Sequence, residues 1–228
     1  MPDDVFVKLV IVLGPLILAI SVHEFAHIAT ARWLGDDLGT RLGRFTLDPL
    51  KHIDPLWTVI LPGTLVVMSA MSGGSALPFF AAGKPAPYNP NGLTKRFGGQ
   101  RIPLRTAEML IAAAGPASNL LLAILSLILV AVLSKLEIGV SGEHPPVVLL
   151  LHFVTLNVAL LVFNMIPVPP LDGSKVLYAF LPGEMAEKYE AVASSMSMIV
   201  LFVIIFMGAH FISIPVLWIV GVLQTIIL

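Results

Sequence analysis

The sequence predicts an all-α, polytopic membrane protein. Its core is three transmembrane helices that carry the site. Beside them lie a re-entrant or interfacial segment with room for a small β element, and a hydrophobic helical region at the C-terminal end. Three observations predict this. Of 228 residues, 57% are hydrophobic and 12% are charged, against about 25% charged in soluble domains. Apolar runs long enough to cross about 30 Å of hydrocarbon recur along the chain. The charges gather in the stretches between those runs. A net charge of −1 carries no basic signature of nucleic-acid binding. The lipid bilayer is the expected surrounding. Cysteine is absent, so any metal is held by His, Asp and Glu.

Each element follows from local composition. The first run covers residues 5–34. Its leader, MPDD, is acidic where a cleaved signal peptide is basic, and no A-x-A-like site follows. The run is therefore expected to stay as a spanning helix. Residues 35–43, GDDLGTRLG, are too charged for a helix-packing face and read as loop. The run at 57–82 is punctuated by LPGTL and MSGGSALP, and GKPAPYNPNG follows it. Proline removes a backbone donor, so this region is not one regular helix. Runs at 107–134 and 146–168 supply the second and third spans. Residues 194–228 would be roughly 50 Å long as one helix, and Gly208, His210 and Pro215 suggest a break. Residues 1–190 are expected to form the site-bearing core, and residues 191–228 a C-terminal transmembrane region of the same membrane domain.

The informative stretch is SVHEFAH at 21–27. It places three ionisable side chains inside the first apolar run. His23 and His27 are four residues apart, so a helix puts them on one face, one turn apart. His-Glu-x-x-His on a helix reads as zinc bound by the two imidazoles, with Glu24 as general base. Six histidines in 228 residues make a chance match rare. Ionisable groups inside a membrane are costly and mark function by default. A catalytic zinc also wants a third protein ligand. Asp36 and Asp37 follow the helix closely and are expected at the interface. Glu108 is read as a helix N-terminal charge. Asp172 is the strong candidate. It sits in FNMIPVPPLDGSKV, where three prolines forbid regular helix, and irregular backbone at membrane depth belongs beside protein or a wet cavity. Its alternative role is the N-cap of the next helix.

At these residues the chain resembles the site-2 protease family of intramembrane zinc metalloproteases. HEFAH, AGPASN at 114–119 and NMIPVPPLDG at 164–173 carry the resemblance. LDPLKHIDPLW at 47–57 and GKPAPYNP at 83–90 are similar to the small bacterial members without a PDZ domain. The resemblance implies one zinc ion per chain held by His23, His27 and Asp172. It implies that Glu24 is the catalytic base, and that Asn164 holds the substrate or its oxyanion. The expected activity is hydrolysis of peptide bonds in or near transmembrane helices of membrane protein substrates. The alternative is a catalytically silent zinc-binding membrane protein that binds such helices. Against that stands Glu24, since a pure metal site needs no base. A transporter would predict inverted repeats, and none is visible.

Topology follows from the proposed ligands. If His23, His27 and Asp172 share a metal, the C-terminal ends of the first and third spans lie on one side, and 107–134 runs the other way. The run at 57–82 is then re-entrant, interfacial or a hairpin. Eleven of the 13 Lys and Arg residues fall on the active-site side, with only Lys8 and Lys135 opposite. Excess Lys and Arg mark the cytoplasmic side. The site is expected to open toward the cytoplasm, in a bacterial inner membrane. GKPAPYNP suits an extended edge segment, where proline is tolerated. Residues 72–90 are expected to line the substrate entrance and to hold an unwound substrate strand, with Lys84, Pro85 and Tyr88 as contacts. Asn119 is read either as an interhelical hydrogen-bonding group or as part of substrate handling. His52 is expected to be interfacial, and His152 packed or pore-facing.

Overall fold

The computed structural model describes residues 5–71, 81–136, 145–207 and 209–228. It describes their side chains except at 192–198, 201, 205–207 and 209–210. The order is α1 (Val5–Trp33), α2 (Leu38–Arg41), α3 (Leu61–Met71), β1 (Arg96–Phe97), β2 (Gln100–Arg101), α4 (Leu104–Lys135), α5 (Pro145–Asn164), α6 (Asp172–Phe180), α7 (Gly183–Met207) and α8 (Ala209–Ile227). Three of these, α1, α4 and α5, are long and apolar enough to cross a membrane. They are the three spans expected from the sequence. Their outward leucines, such as Leu18, Leu121, Leu125 and Leu129, are exposed, as a lipid-facing surface requires.

α4 is the centre of the bundle, packed between α1 and α5 with α6 laid against it. Ala31 of α1 meets Ala107 of α4, and His27 meets Ile111. Farther back along α1, His23 meets Asn119, so the two helices are antiparallel. Leu16 and Ile20 of α1 pack with Leu156 and Leu160 of α5, and farther along both segments His23 and His27 meet Asp172, so α1 and α5 are parallel. Their C-terminal ends therefore lie at one end of the bundle. α8 adds Ile212, Val216 and Val220 to the core formed by Ala123, Leu127, Val154, Val158 and Phe163.

Several boundaries differ from expectation. α5 stops at Asn164, before residue 168, because Pro167 cannot supply the next helical donor. The polar stretch at 172–193 holds α6 and the start of α7, and α7 continues through position 190. The apolar C-terminal run is two helices; Gly208 lies outside the described residues, and Pro215 sits inside α8. The small β element expected beside the spans is the short hairpin of β1 and β2. Its signal is Gly98-Gly99, both at positive φ, which is the two-residue turn that matches strand twist.

The region after α1 is not a simple span. Asp54 caps the turn at Pro55–Ile60 by accepting from Leu56 and Trp57 N–H, and that turn runs into α3. Gly63 of α3 lies near Leu9 and Leu13 of α1, toward the N-terminal end of that helix. By residue 81 the chain is back beside Leu16, Ala19 and Ile20. It thus leaves and returns on the same side of the bundle. Residues 72–80 of the expected entrance segment lie outside the described residues. From Ala81 to Tyr88 the chain forms no helix; it makes one antiparallel bridge, Gly83 to Ile53, and is tied to the loop before α3. Lys84 N–H donates to His52 C=O at 2.7 Å, and Ala82 N–H to Trp57 C=O at 3.3 Å.

Candidate active site

His23 and His27 project from α1 toward α4, and both are buried. Each ring is fixed from behind. His27 Nδ1 lies 2.7 Å from Ile111 C=O. A carbonyl only accepts, so Nδ1 carries the proton. His23 Nδ1 lies 2.7 Å from Asn119 Oδ1. Asn119 Nδ2 in turn donates to Asn157 Oδ1 at 3.0 Å, and Asn157 Nδ2 donates to Phe153 C=O at 2.8 Å. That terminal carbonyl orients both amides, and through them the His23 tautomer. Both neutral rings therefore present Nε2 lone pairs to the interior.

Those lone pairs converge. The two Nε2 atoms are 3.0 Å apart, and Asp172 Oδ2 lies 3.2 Å from one and 3.4 Å from the other. Among the described residues, Asp172 Oδ2 has no hydrogen-bond partner. Three acceptors facing one another repel unless a cation sits among them. Zinc bonds to N and O of about 2.0–2.1 Å at tetrahedral angles put donors about 3.3 Å apart, which matches the observed spacing. The residues fit a zinc ion. Among the described residues they are the one group of His and carboxylate donors close enough to do so.

Two glycines let the backbone approach. A Cβ on Gly115 of α4 would stand 2.5 Å from His23 Nε2 and from His27 Cε1, so α4 can lie directly over both rings only with glycine there. A Cβ on Gly173 would overlap the Met165 carbonyl. Glycine therefore permits the tight return from α5 through 165–171, which aims Asp172, the first residue of α6, at α1. Tyr189 of α7 donates to Pro167 C=O at 2.9 Å and braces that return.

Glu24 is buried next to this group, and its Oε2 has no hydrogen-bond partner among the described residues. A cavity of about 620 Å³ opens in front of it. His23, His27, Asp172, Asn164, Pro85 and Tyr88 all line that cavity, together with Gly83. Gly83 is close enough to Glu24 that a Cβ would stand 3.0 Å from Glu24 Cγ. Arg44 holds the same segment from the other side, donating to Lys84 C=O at 2.7 Å and Pro85 C=O at 3.3 Å.

Two residues suggested for substrate contact lie elsewhere. Lys84 is exposed and outside the cavity lining. Asn119 is fully buried and touches a histidine, not the cavity. One further expectation is corrected. Glu108 is the fifth residue of α4 and lines the cavity, too far along for a first-turn charge. His52 is fully buried with Nε2 2.7 Å from Thr46 C=O. Asp36 is buried, accepting from Asn89 N–H at 3.1 Å. Sequence reasoning passed over Asn157, although a lone asparagine in an apolar helix, seven residues before Asn164, was the available signal.

Fold and site together define a membrane protein with a His-His-Asp group that could hold a metal ion, beside a buried carboxylate. The chain belongs to Peptidase family M50, whose description matches residues 11–148 and 137–207. The chain is 31% identical over 169 residues to YwhC of Bacillus subtilis, covering 73% of this chain and 67% of that protein. It is 29% identical over 175 residues to Rip2 of Mycolicibacterium smegmatis, covering 77% of this chain and 59% of Rip2. Rip2 of Mycobacterium tuberculosis is 30% identical over 177 residues with the same coverage. All three are provisionally named zinc metalloproteases. The chain spans less than two thirds of the Rip2 proteins. No solved structure matches.

Proposed function

We propose that this protein is an intramembrane zinc endopeptidase that cuts membrane protein substrates in or near their transmembrane helices. The observation that carries the reading is the convergence of His23, His27 and Asp172 beside the unpartnered Glu24 carboxylate, at the wall of a cavity set among three spanning helices. When bound, zinc would act as a Lewis acid on the scissile carbonyl and would acidify water. His23, His27 and Asp172 would hold it.

The other steps belong to the chain. Glu24 is placed to take a proton from water and return it to the leaving amine. Its Oε2 engages no protein group, so a structural role does not account for its burial. Asn164 Nδ2 donates one hydrogen to Leu160 C=O at 3.0 Å. Its second N–H remains for a developing oxyanion. A helical peptide bond must first be unwound. Among the described residues, Gly83 N–H and C=O have no partner, because its neighbours Ala82 and Lys84 make the bonds to 52–58. That edge can pair with an extended substrate segment. The positive-inside excess of Lys and Arg supports a site that opens to the cytoplasm of a bacterial cell membrane.

The test is a purified, zinc-loaded protein reconstituted with a synthetic transmembrane helix. Wild type is expected to cut it. Glu24→Gln is expected to bind zinc and leave it intact. A wild-type rate in Glu24→Gln refutes the assignment of the base. If zinc-loaded wild type cuts none of a panel of helices, the silent zinc-binding protein becomes the better account.

A further inference from the structure

Glu108 is a carboxylate with no structural counter-charge. Tyr88 Oη donates to its Oε1 at 3.0 Å, and its other oxygen has no partner among the described residues. No described Lys, Arg or His nitrogen lies within 4.0 Å of it. Arg105, one turn earlier on α4, is stacked on the Tyr178 ring at 4.7 Å. The cavity lining also holds Lys175, which is exposed, and Asp54, whose carboxylate already caps the turn before α3. Tyr88 keeps its proton as a donor: burial and the Glu108 charge both raise its pKa. The pair thus holds a carboxylate, oriented by the Tyr88 hydroxyl, at the wall of a mostly apolar cavity.

Its place along α4 fixes its relation to the chemistry. Residues 108, 111, 112 and 115 follow the i, i+3, i+4, i+7 stripe of one helix face. Ile111 C=O bonds His27, and Gly115 lies over both rings. Seven residues of helix separate Glu108 from Gly115, about 10 Å of rise. An extended peptide advances about 3.3 Å per residue. A substrate stretched from the metal-ligating group along this wall would bring a side chain about three residues from the cut bond to Glu108.

We propose that Glu108, oriented by Tyr88, is a specificity subsite for a cationic substrate side chain, lysine or arginine, about three residues from the scissile bond. A carboxylate held in an apolar wall gains most from a cation and loses most from a second anion. The inference rests on the protease reading, so its test separates the two. Synthetic transmembrane helices carrying Lys, Gln or Glu at positions two to five residues from the cut bond, on either side, are bound to zinc-loaded, reconstituted full-length Glu24→Gln. The same helices are cut by wild type. Lys is expected to beat Glu by tenfold or more in both affinity and kcat/KM at one position. Glu108→Gln, which can still accept from Tyr88, is expected to shrink that ratio to within twofold. Glu108→Lys is expected to invert it. Cleavage by wild type with a Lys-to-Glu ratio that Glu108→Gln leaves unchanged overturns the subsite and spares the protease reading. Binding that follows the predicted charge order without any cleavage by wild type sinks the protease reading and keeps the subsite.

Discussion

Replacing Asn119 by Ala probes how the metal-ligating rings are held. Asn119 is fully buried and links His23 Nδ1 at 2.7 Å to Asn157 Oδ1 at 3.0 Å. The truncation leaves one buried donor and one buried acceptor unpaired, each costing about 1–3 kcal/mol. Interhelical hydrogen bonds in membranes average nearer 0.6 kcal/mol, so a loss of about 1–4 kcal/mol in stability is expected. The larger effect is on the metal. Without Asn119, His23 is no longer held in the Nδ1–H tautomer, and loss of such an outer partner lowers metal affinity roughly 10–100-fold. Competition with a chelator in detergent measures this directly, and a thermal melt of the zinc-free form gives the stability term. Asn119→Asp can accept from His23 but cannot donate to Asn157, so it is expected to retain more zinc affinity than Asn119→Ala. Zinc affinity in Asn119→Ala within twofold of wild type would refute the assignment of this chain of hydrogen bonds.

Other perturbations follow from the same geometry. Gly115→Ala places a methyl against both imidazoles, and is expected to abolish tight zinc binding in metal analysis while the helical circular-dichroism signal remains. Gly83→Val crowds Ile20 and Glu24; it is expected to lower cleavage at least tenfold with zinc content unchanged, and equal cleavage would remove Gly83 from the substrate wall. Single cysteines at Lys84 and Asn91, in a chain without native cysteine, are expected to react with impermeant reagents only from the cytoplasmic side; labelling from outside alone contradicts the topology.

The sequence made the metal site more legible than the walls around it. His23 and His27 are read directly from a four-residue spacing, and Asp172 from a proline-broken turn, because both signals are local. The parallel course of α1 and α5 followed once those residues were required to meet. Asn119 illustrates the limit. Its residue type inside an apolar helix announced a polar partner, but only the packing of α4 between α1 and α5 shows that the partner is His23. Glu108 was misplaced for a related reason. Its place in the cavity wall depends on the fold of 81–95, a segment whose prolines and glycines exclude a regular helix without specifying a path. Arg44 lay in a charged loop with no periodic signal, and only the structure brings it to Lys84 and Pro85, forty residues later.

Metal analysis of zinc-loaded protein, combined with X-ray absorption at the zinc edge, tests the central claim that three side chains from α1 and α6 form one metal centre. One zinc per chain is predicted, ligated by two imidazole nitrogens and a carboxylate oxygen, with affinity lost in His23→Ala, His27→Ala and Asp172→Ala alike. Full zinc affinity in Asp172→Ala, or no zinc bound by the wild type after loading, would contradict it.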